Sequence, residues 1–428
     1  MPSADDAQAP LDAQAPLDAK APLDAQAPLR IQIPVYGIGL FSNSMTDVGS
    51  VILPIWLASL GASAATIGLV VGSRHILPFL FAIHGGALMD RLGVKLLTAL
   101  CAGLSGLIIM TFPLQTSLPL IVVLQMINGY GSSMGWIGAQ AAFGRLLKSN
   151  PTYSGRFAFG LRVGSFIGPP IVGFAWDHVG IWGGFACFAF WSFGTMICTL
   201  LLPDMPGRRG AQTPMRLIDL APRVSDYRDA LHLARVPVMT VVLIITMLRV
   251  GASSIQDSFY PVYLQSIGFS ATLIGLLVTV TSAVAAFSSL SVGFFARLIS
   301  PVWLLIITGS GSIFFVSITP FQDNFIALAL VATCRGVCMG ISQPLMLSIL
   351  ANASGPGTLG VAAALRTTAN RLSAGLTPIF MGYMAHIYGL TESFVIVGTL
   401  LMIGMWVIAA KVWRNPHLAK DEDAQGLR

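Results

Sequence analysis

The sequence predicts an all-α membrane protein: twelve transmembrane helices arranged as two pseudo-symmetric six-helix bundles. Three observations carry this reading. The 428 residues are 55% hydrophobic and 10% charged, with a mean hydropathy of +0.77, whereas an ordinary soluble domain is about 25% charged. Apolar runs long enough to cross a bilayer recur twelve times, and the second half of the chain repeats the first. So few polar residues cannot cover a water-soluble enzyme or a nucleic-acid binder. A transmembrane β-barrel is excluded as well, because its strands would alternate apolar and polar residues.

Residues 1–30 read as a disordered cytoplasmic tail. Within them the six-residue unit DAQAPL, DAQAPL, DAKAPL, DAQAPL fills positions 6–29. Proline at every sixth position forbids a long helix, and the unit has too little apolar bulk to fold alone. It is not a signal peptide, since no apolar stretch precedes about residue 31.

About 20 apolar residues, rising 1.5 Å each, cross the hydrocarbon core. On that measure residues 31–203 form the first bundle, with spans near 33–59, 64–88, 94–113, 118–144, 157–176 and 181–202. Residues 236–413 form the second, with spans near 237–265, 270–296, 301–320, 325–350, 359–386 and 392–413. Between the bundles lies a cytoplasmic loop, 204–235, holding Arg208, Arg209, Arg216, Arg223, Arg228 and Arg235. Its SDYRDALHLARV stretch suits a short surface helix capped by Ser225. Residues 414–428 form a second cytoplasmic tail.

Charge sets the orientation. With the N-terminus inside, eighteen of the 24 Lys and Arg fall in cytoplasmic segments, six inside spans and none in an outer loop. Outer connections hold Asp177, Asp323 and Glu392 instead. This is the positive-inside pattern of an inner-membrane protein with both termini cytoplasmic. It also explains the net charge of +6 without a polyanionic partner.

The halves repeat at a nearly constant offset. Sliding the chain by 207 places LPIWLASLGASAATIGLVV, from Leu53, on YPVYLQSIGFSATLIGLLV, from Tyr260. Pro54 meets Pro261, Gly61 meets Gly268, Gly68 meets Gly275 and Gly86 meets Gly293. Near the fifth and eleventh spans the offset is 209, pairing Arg162 with Arg371, Pro169 with Pro378, Gly173 with Gly382 and Gly180 with Gly389. Two related bundles joined by a basic loop are the ground plan of a carrier that rocks around a midplane site.

The loop after the second span reads Gly86-Ala-Leu-Met-Asp90-Arg91-Leu-Gly93-Val-Lys95. It resembles the G-x-x-x-D-R-x-G-[RK]-[RK] signature of the major facilitator superfamily, with Val94 where a basic residue is usual. Gly93 permits a tight turn, and Asp90 is an anion placed to meet a helix N-terminus or a basic partner. The resemblance implies a conformational latch that does not touch substrate. In the fifth span, Gly164-Ser-Phe-Ile-Gly168-Pro169-Pro170-Ile-Val-Gly173 is similar to the G-x-x-x-G-P-x-x-G-G motif of that family's antiporters, shifted at its last glycines. Small residues at every fourth position let helices approach closely. Drug exporters of the family often carry Arg in the fourth span, four residues before a Gly. Here that position is Gln125, before Gly129, whereas the tenth span has Arg335 beside Gly336.

Ionisable residues inside a membrane are costly and are functional candidates by default. The basic set is Arg74, Arg162, Arg249, Arg335, Arg366 and Arg371; the acids are Asp47 and Asp257. Asp47 sits mid-span with Asn43 and Ser50 on its face. It is read as a proton carrier, loading and releasing its proton as water enters and leaves, or else as a permanently paired acid. Arg249, Ser253, Gln256 and Tyr260 share a stripe of the seventh span, with Asp257 beside it. At about 12 Å apart along the axis, Arg249 and Asp257 must find separate partners. Arg162 and Arg371 either close an inner gate or hold an anionic substrate between bundles. Arg366, nearer the edge, is read as snorkelling. Arg74 and His75 in the second span have apolar neighbours in sequence and receive no role.

Asp47 and Asp257 are thus the proton-coupling candidates, and Asn43, Gln125, Arg162, Arg249, Gln256, Tyr260, Arg335 and Arg371 the substrate-binding ones. The family resemblance implies a proton-coupled secondary transporter exporting a small organic compound. The excess of buried arginine favours the alternative, proton-coupled uptake of an organic anion. The chain carries no H-E-x-x-H, no G-x-S-x-G, no phosphate loop and no metal spacing, so neither an enzyme nor a cofactor is expected. Cys101, Cys187, Cys198, Cys334 and Cys338 all lie in apolar runs and read as packing. The expected partners are substrate, protons and lipid, with the chain as a monomer that binds no nucleic acid.

Overall fold

The computed structural model describes residues 28–147, 151–204, 237–353 and 359–416. The hexapeptide repeat up to residue 27, most of the central loop with its helix at Ser225, and residues 417–428 lie outside them. Among the described residues the structure is helical, without strands, and crosses twelve times.

The first span is Leu29–Ser59. The second is two helices in line, Ala64–Ser73 and Ile76–Leu92. Val94–Thr111 and Leu118–Leu146 are the third and fourth. The fifth and sixth are the two arms of Pro151–Leu200, joined at Gly180, where φ is 75°. The seventh comprises Pro237–Ser258 and Tyr260–Ser266. The eighth runs through Ala271–Ser288, the tight turn Ser289–Ser291 and Val292–Leu298. Pro301–Ser317, Phe325–Ala353, Leu359–Tyr388 and Leu390–Arg414 complete the set.

Connections between antiparallel neighbours are short because glycine makes them. Gly180 and its repeat partner Gly389 both take positive φ, as do Gly61 and Gly268, a region L side chains rarely enter. Gly93 does the same between the second and third spans, with φ 93°. In these turns the repeat is visible in the backbone itself.

Two spans depart from the continuous helices the hydropathy predicts. The second breaks at Arg74–His75, four residues after which Pro78 offers no N–H to the Arg74 carbonyl. The seventh breaks at Phe259, just before Pro261, where the helical conformation is disfavoured.

The halves meet differently at the two membrane faces. One core cluster is shared: Trp56, Val70, Phe185, Phe259, Tyr263 and Ile274 belong to it, all on the face opposite the chain ends. Towards the chain ends the core divides. Val35, Met89, Met134 and Phe157 pack within the first half, and Val242, Leu305, Met346 and Met405 within the second. The molecule is closed on the far face and parted on the face of the termini.

Glycines build the closed side. A methyl on Gly68 of the second span would strike the Pro378 carbonyl of the eleventh, and one on Gly275 of the eighth would strike that of Pro169 in the fifth. One turn further out, Gly382 lies on the Ala64 carbonyl and Gly173 on that of Ala271. These are the pairs that the 207 and 209 offsets relate, so one seam occurs twice about a pseudo-two-fold axis. In lipid, where apolar burial does not drive helices together, such close backbone approach is a main source of association.

Candidate functional site

A central cavity lies between the halves, below the closed seam, with Ser50, Arg74, His75, Ser253, Asp257 and Ala374 in its wall. A second is lined by Asn43, Ser133, Trp136 and Arg371 and shares Thr46 and Arg74 with the first. A third, with room for about one water, lies within the second half and is lined by Gln256, Tyr260, Thr281 and Arg335.

Proline shapes the central cavity. Ser50, Arg74, Asp257 and Ala374 each precede a proline by four residues: Pro54, Pro78, Pro261 and Pro378. Each therefore has a backbone carbonyl with no helical N–H to accept from, and all four residues line this one cavity. The first and second halves supply two apiece. The Arg74 carbonyl is turned onto Gly129 of the fourth span, while Asp257 brings an acid to the cavity wall.

Arg74 stands between the acids. It is 8% exposed, reaches Thr46 Oγ1 at 3.4 Å, and lies within electrostatic reach of both Asp47 and Asp257. Neither acid approaches a basic group closely enough for an ion pair; among the described residues the one salt bridge is Lys95–Asp204, at 3.0 Å on the terminal face. Gly129 places Arg74, since a side chain there would overlap the Arg74 backbone. Gly336, its repeat partner at offset 207, receives the Thr281 carbonyl in the same way. Sequence reading passed over Arg74 and His75, although Pro78 was the available signal that the helix would open there.

Asp47 is joined to a small network. Its carboxylate lies within electrostatic reach of Ser165, Arg162 and Arg74, and Asn43 Nδ2 donates to Ser165 Oγ at 3.3 Å and to the Leu161 carbonyl at 3.4 Å. Asn43 thus lines a cavity while tying the first span to the fifth. Gln125 is fully buried, accepts from Asn128 Nδ2 at 3.3 Å, and lies outside the three cavities.

The matched arginines behave differently. Arg371 crosses between halves, donating to Ser133 Oγ at 3.0 Å and meeting His75 Nδ1 at 3.4 Å. Arg162 stays beside Asp47 in its own half.

In the second half, Arg249 and Arg335 are each 3% exposed. Arg335 donates to Ser253 Oγ at 3.5 Å, leaving Nε and Nη1 without partners; Arg249 Nε and Arg366 Nε are likewise unpartnered. Arg249 has Arg366 and Arg335 as its charged neighbours. Arg366, read as snorkelling, is partly exposed, with its Nε enclosed. The seventh-span stripe therefore divides, with Ser253 facing the central cavity and Gln256 and Tyr260 the third.

Among the motif residues, Gly164 and Gly168 pack against the first span, at Leu40 and Val48, while Gly173 meets the eighth span. The helix carrying Gly86, Asp90 and Arg91 ends at Gly93 as the turn requires.

Major Facilitator Superfamily sequences match residues 35–248 and 242–427, one stretch for each half. The chain belongs to the major facilitator superfamily. It is 24% identical over 376 residues to the enterobactin exporter EntS of Salmonella paratyphi A and to that of Salmonella typhi, covering 82% of this chain and 87% of each relative. Its fold matches the nucleoside transporter NupG with a TM-score of 0.73 at 16% identity, covering 89% of this chain and 98% of that one. It also matches a bacterial homologue of the lysosomal transporter Spinster in an inward-facing, unoccupied conformation, at 0.69 and 14%, over 89% and 96% of the two chains. Like other members of the superfamily, the chain is a multi-pass membrane transporter of small organic compounds rather than an enzyme.

Proposed function

We propose that this transporter exports its substrate in exchange for protons by alternating access, with both termini in the cytoplasm and the bilayer being the inner membrane. The observation that carries the reading is the convergence of Asp257, Arg74, His75 and Ser253 on a cavity parted towards the chain ends. N–H or O–H groups of a substrate entering from the cytoplasm find acceptors there. Protons arriving from the far side compete for the same carboxylates, Asp257 directly and Asp47 through the charge of Arg74. Protonation removes the acceptor and releases the substrate. The relatives at 24% identity are enterobactin exporters, which supports the outward direction.

The unpaired arginines favour a second reading. An anion held by Arg74 and Arg371 would raise the proton affinity of the nearby acids, so proton and anion would travel together. That is uptake by symport.

Vesicle polarity separates the two. In inverted vesicles an acid interior should drive accumulation of the exported compound, found first by screening a deletion strain for sensitivity, and Asp47→Asn should abolish it. Accumulation restricted to right-side-out vesicles with acid outside would replace export with uptake.

A further inference from the structure

The second cavity is a pocket of the first half that one residue of the second half completes. Ser42, Asn43, Thr46, Arg74 and Ser133 belong to the first half, and Arg371 reaches in from the other. The space has room for several waters, against about one in the third cavity. Two guanidiniums stand in its wall and no carboxylate does. Arg74 lies in the field of Asp47 and Asp257, neither of which lines this cavity. For Arg371 the charge that acts on it is Arg74, of like sign, and among the described residues no acid pairs with it. Burying a cation without a counter-charge is costly, and the space beside Arg371 is where one can be supplied.

The polar groups around the space are arranged as donors. Arg371 gives Nη2 to Ser133 Oγ at 3.0 Å and meets His75 through Nη1, and Arg74 gives Nη2 to Thr46 Oγ1 at 3.4 Å. Neither has a nitrogen enclosed without a partner, in contrast to Arg249, Arg335 and Arg366. Their remaining N–H groups therefore open on the cavity space these residues line. A hydroxyl that accepts from a guanidinium keeps its own O–H to donate. Ser133 and Thr46 are both in that position, whereas Ser132 gives its O–H to the Asn128 carbonyl at 2.9 Å.

We infer that the second cavity holds the oxyanion group of the transported compound, a carboxylate or a phosphate, between Arg74 of one half and Arg371 of the other. Guanidinium N–H groups make their strongest hydrogen bonds to such oxygens, and the Ser133 and Thr46 hydroxyls add neutral donors beside them. Because Arg371 completes the site from the opposite half, the bound anion favours the arrangement in which the halves meet at this level. The inference rests on the chain being a carrier and on neither direction of transport, since the same head group is held whether the compound leaves or enters.

Trp136 lines the same cavity and serves as the reporter. The test is iodide quenching of its fluorescence in the detergent-purified full chain, taken as the difference between wild type and Trp136→Phe, with chloride holding the ionic strength constant. Butyrate or inorganic phosphate should protect Trp136 at least tenfold more effectively than the neutral butyramide. Protection by butyrate identifies a carboxylate head group, and protection by phosphate a phosphate one. Arg371→Gln should abolish the protection while quenching by neutral acrylamide stays unchanged, which reports an intact cavity. Arg371→Lys, which keeps the charge without the planar fork, should retain part of it. Equal protection by butyramide and butyrate, or none from either anion, overturns the site on the wild type alone, whatever the folding of the variants. Full protection in Arg371→Gln overturns it as well. The vesicle experiment decides direction and this one the head group, so either can fail without the other.

Discussion

The carboxylate of Asp177, at the far end of the fifth span, accepts two hydrogen bonds from Thr272 of the opposite half: the backbone N–H at 2.8 Å and Oγ1 at 2.6 Å. Its other oxygen accepts from the Ala271 N–H at 3.1 Å. These N–H groups belong to the first turn of the eighth span, which a helix cannot satisfy internally and where its dipole favours an anion. An acid of one half thereby caps a helix of the other, and the cap exists while the far face is closed.

Asp177→Ala should therefore loosen that closure. Loss of an N-terminal cap costs about 1–2 kcal/mol, which is a shift of roughly 5- to 30-fold between states. A cysteine placed at Ser50, in the central cavity, should react faster with a membrane-impermeant thiol reagent added from the far face. Unchanged labelling would mean the glycine seams alone hold the face shut.

Those seams make a paired prediction. Gly68→Val and Gly275→Val each put a branched side chain against a proline carbonyl of the other half. Each half should still insert and fold, because the seam is formed between them. Transport should fall at least tenfold in either variant, and the far face should label as open. The two variants should behave alike, since the repeat relates them.

Arg371 and Ser133 join the halves at the level of the second cavity, at 3.0 Å. Ser133→Ala removes one hydrogen bond to a charged group, worth about 1.5–3 kcal/mol. Substrate affinity should weaken by about tenfold or more if Arg371 needs Ser133 to point into the cavity. A change at the repeat partner of Arg371, Arg162→Gln, should alter the pH dependence of transport instead, because Arg162 lies within electrostatic reach of Asp47. Identical effects from the two would contradict their different surroundings.

Pro78→Ala restores an N–H to the Arg74 carbonyl and lets the second span run straight. A central proline disfavours a continuous helix by about 3 kcal/mol, so the variant should be at least as stable to heat. Its transport should nevertheless drop sharply, since a regular helix rotates Arg74 and His75 relative to the cavity. Wild-type transport in Pro78→Ala would show that the break at Arg74 serves assembly only.

The crossings, the internal repeat and the close-packing glycines of the fifth span were legible in the primary structure. Lipid imposes long apolar helices, and close approach imposes glycine, so both constraints are written as composition and spacing. Gly68 with Gly275 and Pro169 with Pro378 could be paired by counting alone. Polar side chains obey no such rule. Asn43 and Gln125 had the same credentials on paper, yet Asn43 faces a cavity and Gln125 turns to Asn128. Arg162 and Arg371 are equivalent by offset, yet one crosses to the other half and its twin does not. Arg74, set aside for its apolar neighbours in sequence, lies at the junction of two cavities. The sequence by itself thus determined a twofold helical transporter; the tertiary structure alone decided which buried charges meet. A helix fixes neighbours three and four residues apart, whereas the partners of these arginines lie on other spans and in the other half, brought near only when the two bundles close together.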